Sequence, residues 1–191
     1  MDYVVRKAVE SDRFNIARTV IYSFEKDLSA LFKDLEQGVR LFENSIVLSR
    51  FYVAEHGGEI VGTIACADCT GRAVKVTKSD CKKQLGFIRG LIGFSIFSSE
   101  LMSQLPYPET TGNIELVGVL EHARGNGIAK EMLKIIIENN SQYNEFVLDV
   151  TDVNVSAQKC YTDFGFREFK RESVKYAKQK GFNAKIYMKY T

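Results

Sequence analysis

The stretch Asn113-Ile114-Glu115-Leu116-Val117-Gly118-Val119-Leu120-Glu121-His122-Ala123-Arg124-Gly125-Asn126-Gly127-Ile128-Ala129 decides how the chain is read. Asn113 to Leu120 reads as a strand. A helix begins within Arg124 to Ala129 and runs to Asn140 with Met132, Leu133, Ile136 and Ile137 on one face. A helix N-terminus offers unpaired N–H groups and a partial positive charge, which suits phosphate oxygens. Glycines at 125 and 127 remove the Cβ atoms that would keep a ligand from the backbone. Taken alone, the stretch is also an ordinary glycine-containing strand-to-helix turn. It is neither of two familiar phosphate motifs. No Gly-x-x-x-x-Gly-Lys-Ser/Thr occurs, and Gly125-x-Gly127 lacks the third glycine of the dinucleotide fingerprint.

A second element strengthens the first. Asn154-Val155-Ser156-Ala157-Gln158-Lys159-Cys160-Tyr161 is followed by Gly165-Phe166, and helical spacing puts Asn154, Ala157 and Tyr161 on one face. Singly, these residues read as an N-cap, a packing residue and a core aromatic. Together with the Arg-Gly-Asn-Gly run they read as a site.

Around these two elements the periodicities give an alternation of strands and helices. Tyr3 to Val9 is expected as a strand, and Ser11-Asp12 as the cap of a helix bearing Phe14, Ala17, Val20 and Phe24. A second helical period follows through Leu28, Leu31, Leu35, Val39 and Phe42. Phe51–Glu55 and Glu59–Ala65 form a hairpin about His56-Gly57-Gly58. Ser79-Asp80 is expected to cap a helix through Leu85, and a further apolar helix spans Leu91 to Leu105, ended by Pro106 and Pro108. Strands at 145–150, 166–174 and 184–190 and a helix at 154–164 complete a mixed α/β plan.

Composition excludes several classes. The 191 residues are 45% apolar and 26% charged with a net charge of +2, which argues against disorder and against a uniformly basic nucleic-acid-binding surface. That net charge hides a split. From Arg167 onward eight Lys or Arg face only Glu168 and Glu172, read either as a solvated face or as a field for an anionic ligand. The charged N-terminus lacks the apolar core of a signal peptide, and no run approaches the ~18 apolar residues of a membrane span, so a cytoplasmic protein without a membrane partner is expected. Four cysteines, Cys66, Cys69, Cys81 and Cys160, lack the partners of a zinc site, and free thiols with no metal are expected. His122, in the loop before the glycines, reads as an exposed residue.

On the two motif elements the sequence resembles the GNAT superfamily of N-acetyltransferases. The family's Arg/Gln-x-x-Gly-x-Gly/Ala after a strand is met by Arg124, Gly127 and Ala129, with Val119 five residues before the arginine. Its Asn-x-x-Ala-x-x-x-Tyr followed by Gly-Phe is met by Asn154, Ala157, Tyr161, Gly165 and Phe166. The resemblance implies one domain over 1–191 of α/β (α+β) class, a mixed and mostly antiparallel twisted sheet flanked by helices, with splayed central parallel strands. Residues 68–112 stand apart as an atypical insert where the family has a short turn.

The resemblance also implies a function, transfer of an acetyl group from acetyl-CoA to a primary amine by direct attack in a ternary complex. Backbone N–H groups of Gly125, Asn126, Gly127, Ile128 and Ala129 would hold the pyrophosphate, with Arg124 opening the loop. The pantetheine arm would lie beside Val117 and Val119, with Ala157 and Asn154 also on the cofactor side. An N–H near Val117 would stabilise the oxyanion. Tyr161 would protonate the leaving thiolate. Glu115, expected on one strand face with Val117 and Val119, is the candidate general base, against a plain reading as a strand-end carboxylate in solvent or in an ion pair. The alternative function is a non-catalytic acyl-CoA sensor. The insert reads as a homodimer surface, a lid over the acceptor or one more core helix pair. Acceptor choice is expected to rest on the insert and on the loops near 24–28 and 174–183.

Overall fold

The computed structural model describes residues 2–25, 31–175, 177 and 181–191. Seven strands form one sheet: β1 (Val4–Lys7), β2 (Phe51–His56), β3 (Glu59–Ala67), β4 (Thr111–Val119), β5 (Glu145–Thr151), β6 (Arg167–Ser173) and β7 (Ala184–Tyr190). Among the described residues six α-helices interleave with them: α1 (Arg13–Ser23), α2 (Leu35–Glu43), α3 (Lys78–Leu85), α4 (Phe87–Leu101), α5 (Ile128–Glu138) and α6 (Val155–Phe164). The strand order is β1-β2-β3-β4-β5-β7-β6, antiparallel throughout except between β4 and β5. The expected mixed, mostly antiparallel sheet with a central parallel pair is what forms.

Local chemistry explains most of the boundaries. The β2–β3 hairpin turns on Gly57 and Gly58 at φ +56° and +83°, which a side-chain-bearing residue resists. Asp34 caps α2 by accepting from the Gln37 amide at 2.8 Å. The expected helical period through Leu28 becomes a helix from Leu35, and residues 26–30 lie outside those described. Asp12 is not a helix cap by side chain. It is buried, accepts from the Val9 amide at 2.8 Å and pairs with Arg6 at 2.6 Å, which together hold its carboxyl below the usual range.

Two expectations between β3 and β4 need correction. The cap of α3 is Thr77, whose hydroxyl accepts from the Asp80 amide at 3.0 Å, so Ser79 and Asp80 lie inside the first turn. Helix α4 spans Phe87 to Leu101 and stops before Pro106, so the prolines do not end it. Arg72 takes the carbonyls of Glu100 and Ser103 there, at 3.4 and 3.1 Å.

Each face of the sheet carries its own core. Ile16, Val20 and Ile21 of α1, Val39 and Phe42 of α2, Leu85 of α3 and Phe97 of α4 pack on one face with Phe51, Val53 and Ala65 of the sheet. Ile128, Met132, Leu133 and Ile136 of α5 and Tyr161 of α6 pack on the other with Ile64, Ile114, Leu148 and Ile186. Among the described residues no helix is long and apolar enough to cross a membrane.

The site depends on how β4 runs through this sheet. Against β3, Thr63 pairs with Gly118 and Ala65 with Glu115, so β4 advances three residues where β3 advances two. This is a β-bulge, and Leu116 sits in it at φ +51°. Against β5, β4 pairs only through Thr111, Gly112 and Asn113, opposite Glu145, Phe146 and Val147. Beyond Asn113 the two parallel strands part.

Phe97 ties α4 to the first core. It is 1% exposed and its ring meets Phe32 at 6.2 Å and Phe42 at 5.7 Å. Phe97→Ala is expected to lower stability by about 3–5 kcal/mol in a urea titration. A loss under 1 kcal/mol would show that α4 is only laid on the surface.

Candidate active site

The splay between β4 and β5 leads to the loop that follows β4. Glu121–Ala123 make one 3₁₀ turn, Arg124 is extended, and Gly125 and Gly127 both lie in the left-handed region at φ +80° and +79°. No heavy atom of the described residues comes within 4 Å of a Cβ built on Gly125, so it is backbone geometry that calls for glycine there. Among the described residues no backbone carbonyl accepts the amides of Gly125, Asn126 or Gly127. Those of Ile128, Ala129 and Lys130 open α5, whose first helical bond runs from Glu131 N–H to the Gly127 carbonyl at 3.1 Å. A run of consecutive free amides around left-handed residues at a helix N-terminus forms an anion cradle.

Side chains hold this cradle from beneath. Arg124 Nε donates to the Val119 carbonyl at 3.0 Å, tying the loop to the end of β4. Asn126 Nδ2 donates to the carbonyls of Ala123 and Arg124 at 3.0 and 3.2 Å, so its side chain shapes the loop. His122 is exposed, as expected, and lies 3.3 Å from Glu59.

The α6 residues fall where the spacing puts them. Asn154 caps α6, its Oδ1 accepting from the Ala157 amide at 3.2 Å and from Ser156 Oγ at 3.1 Å. Ala157 packs on the second core, the core that Val117 and Val119 also border. Tyr161 is 7% exposed against Phe166, and burial pushes its phenol well above the ordinary value. Val117, Val119, Ala157 and Tyr161 therefore share one side of the sheet with the cradle.

Glu115 does not join them. An unbroken strand would put residues 115, 117 and 119 on one face, but the bulge at Leu116 shifts the alternation. Ile114, Val117 and Val119 border the second core, whereas Glu115 turns to the opposite face. There it pairs with Arg72 Nε and accepts from Asn113 Nδ2 at 2.9 Å and the Ala73 amide at 3.2 Å. The expectation of a shared face is thus wrong, because one extra residue in β4 reverses it. Burial pushes the Glu115 carboxyl up, and Arg72 is the largest influence opposing that rise.

Arg72 carries no sequence signal, since it lies 43 residues from its partner in a segment without a motif. Tyr3 is a second residue the motifs do not flag; its hydroxyl is 3.8 Å from a Cβ built on Gly127.

The remaining expectations are placed as follows. All four cysteines are free, with Cys66 and Cys81 buried and their thiols pushed up to about 12 and about 11. Among the described residues no group of His, Cys, Asp or Glu could hold a metal. Of the eight C-terminal cations, Lys170, Arg171, Lys185 and Lys189 pair with Glu172, Glu168, Glu100 and Glu145, and Lys178 and Lys180 lie outside the described residues. The loops near 24–28 and 174–183 are described only in part.

The donor set fits a phosphate-bearing ligand with an extended arm. The free amides and absent Cβ atoms suit a pyrophosphate, and the unpaired β5-facing edge of β4 suits a strand-like chain.

Comparison with known proteins gives a consistent result. A family model described as the acetyltransferase (GNAT) family matches residues 18–166. No curated protein matches the chain. Among solved structures, an N-acetyltransferase from Staphylococcus aureus Mu50 is 17% identical with a TM-score of 0.67, covering 98% of this chain and 100% of that one. A ribosomal-protein-alanine N-acetyltransferase from Brucella melitensis is 17% identical with a TM-score of 0.61, covering 98% of each. A Salmonella typhimurium structure with its cofactor acetyl-CoA is 14% identical with a TM-score of 0.59, covering 100% of this chain and 94% of that one. At these identities the likeness is one of fold.

Gly127→Ala tests the cradle's backbone. With the nearest atom 3.8 Å away the cost is conformational, not steric, and a loss of about 1–2 kcal/mol is expected in urea. Unchanged stability would mean the loop relaxes out of the left-handed region.

Proposed function

The chain belongs to the acetyltransferase (GNAT) family, and from that premise we propose that it transfers an acetyl group from acetyl-CoA to a primary amine by direct attack within a ternary complex. The observation that carries this reading is the continuity of the site. The β4–β5 gap beyond Asn113 and Val147 leads to the free amides of residues 125–130. Acetyl-CoA, when bound, supplies an acetyl group activated as a thioester.

The chain's own residues divide the work. Amides of Gly125 to Ala129 hold the pyrophosphate, and Arg124 adds positive charge where the loop begins. Val117 and Val119 line the pantetheine arm, and an N–H near Val117 donates to the thioester carbonyl. Asn154 spends its Oδ1 on the α6 cap, which leaves its amide N–H groups to donate to the arm. Ala157 keeps the α6 surface low beside it.

Two residues handle protons. A lysine-like amine with a pKa of about 10.4 is mostly protonated at neutral pH and must lose a proton before it attacks. Glu115 takes that proton, directly or through water. Tyr161 gives one to the departing thiolate. Its buried phenol, raised above its ordinary value, is protonated throughout the neutral range and can donate without a metal.

Release of free thiol from acetyl-CoA tests the reading, with small primary amines, peptide amino termini and a lysine peptide as acceptors. Tyr161→Phe is expected to lower kcat on the order of 10²-fold or more, with little change in the Kd for acetyl-CoA measured by calorimetry. Unchanged turnover would remove Tyr161 from the mechanism. Tight acetyl-CoA binding with no thiol release on any acceptor would favour the non-catalytic sensor.

A further inference from the structure

The segment between β3 and β4 brings one charged group onto Glu115. Arg72 has its side chain 13% exposed and Glu115 has its own 8% exposed, and the two meet through Arg72 Nε and Glu115 Oε1. The rest of the guanidinium is anchored at the end of α4. Nη1 donates to the Ser103 carbonyl at 3.1 Å and to its hydroxyl at 3.4 Å, and Nη2 donates to the Glu100 carbonyl at 3.4 Å. A planar fork can hold a carboxylate and two carbonyls at once, which a lysine ammonium on a flexible stem does poorly.

The carboxylate is used unevenly. Oε1 accepts from Arg72 and Asn113, whereas Oε2 accepts from the Ala73 amide at 3.2 Å. Oε2 is therefore the oxygen with room for a proton.

A carboxyl buried this deeply without a cation would take up a proton instead of holding its charge. The groups packed around it are few. From β4 Asn113 contributes an uncharged amide, and the nearby Cys66 thiol of β3, which lies in the second core, is pushed up to about 12 and stays neutral. Lys185 and Tyr107 feel the charge of Arg72 in turn, which lowers the pKa of each against the larger influences around it. Among the described residues Arg72 is thus the cation that faces Glu115.

We propose that Arg72 is a positioning residue that keeps Glu115 ionised and aimed, so that the segment between β3 and β4 is part of the proton-transfer machinery. This rests on Glu115 being the base of the proposed transfer.

The test is a titration that needs no acceptor. Protein labelled with ¹³C at glutamate side-chain carboxyls is followed by NMR against pH, and the Glu115 signal is assigned by its absence from Glu115→Gln. In Arg72→Gln the Glu115 midpoint is expected to rise by about 1–3 pH units. Arg72→Lys, which keeps the charge and loses the fork, is expected to rise by a smaller amount. A midpoint that does not move in Arg72→Gln, with a lowered melting temperature, would make Arg72 purely structural and overturn the proposal. If Arg72→Gln does not fold, the native protein decides, and a Glu115 midpoint there above neutral pH overturns the proposal, because the carboxyl would then not be held ionised. The base assignment fails separately, if Glu115→Gln transfers acetyl groups to the amine panel as fast as the native protein; the titration is independent of that rate.

Discussion

The parting of β4 from β5 is the constraint on which the rest of the structure depends. Past Asn113 and Val147 the inward edge of β4 has no strand of the described residues beside it, and its backbone groups there must find water or a ligand. The bulge at Leu116 belongs to the same feature. A non-glycine residue at φ +51° costs about 1–2 kcal/mol, so something must hold it. Thr63 Oγ1 donates to the Leu116 carbonyl at 3.3 Å from one side, and the Leu116 side chain packs into the first core on the other. The bulge is fixed by its surroundings, and it decides which face each later β4 side chain meets.

That decision has an electrostatic consequence. By turning Glu115 away from Val117 and Val119, the bulge takes a carboxylate out of the apolar side of the site and puts it within reach of the segment between β3 and β4. Burying an ion pair is expensive unless the remaining lone pairs and N–H groups are also satisfied. Here Asn113, Ala73, Ser103 and Glu100 satisfy them. The same segment sends Phe97 into the first core, so its packing fixes α4, at whose end the Arg72 guanidinium is held by the Glu100 carbonyl. Core and site are coupled through α4.

What the sequence made legible was local. The hairpin at Gly57-Gly58, the glycines of the cradle and the face shared by Ala157 and Tyr161 each follow from residues a few positions apart, where steric and periodic rules act directly. The position of Glu115 depended on a bulge at a leucine, a residue that gives no hint of positive φ, so strict alternation put it on the wrong face. Arg72 meets Glu115 across 43 residues of chain, and only the folded core brings them together. The end of α4 was misplaced for a related reason. The prolines are a visible stop, whereas the stop in the structure comes earlier, where the carbonyls of Glu100 in the last turn and of Ser103 just beyond it accept from a distant guanidinium.

The division of the site between two faces bears on the chemical route. Tyr161 stands on the α5–α6 side and Glu115 on the α1–α4 side, so on the proposed reading the acceptor amine arrives from the face that Glu115 occupies. That approach is bounded. At the end of α4, Arg72 reaches β4 through Glu115, and Glu100 reaches β7 through Lys185 at 2.9 Å, with Asp149 of β5 3.7 Å from the same ammonium. A route through a covalent acetyl-enzyme would instead need an activated nucleophile. Cys66, Cys81 and Cys160 all have thiols raised by burial, the opposite of what a reactive thiolate requires. Cys160, which adjoins Tyr161 in sequence, therefore gains no reactivity from its position. On the proposed reading, a base on one face and a phenol kept protonated on the other suit a single direct transfer, in which one proton leaves the amine where Glu115 stands and another reaches the thiolate from Tyr161.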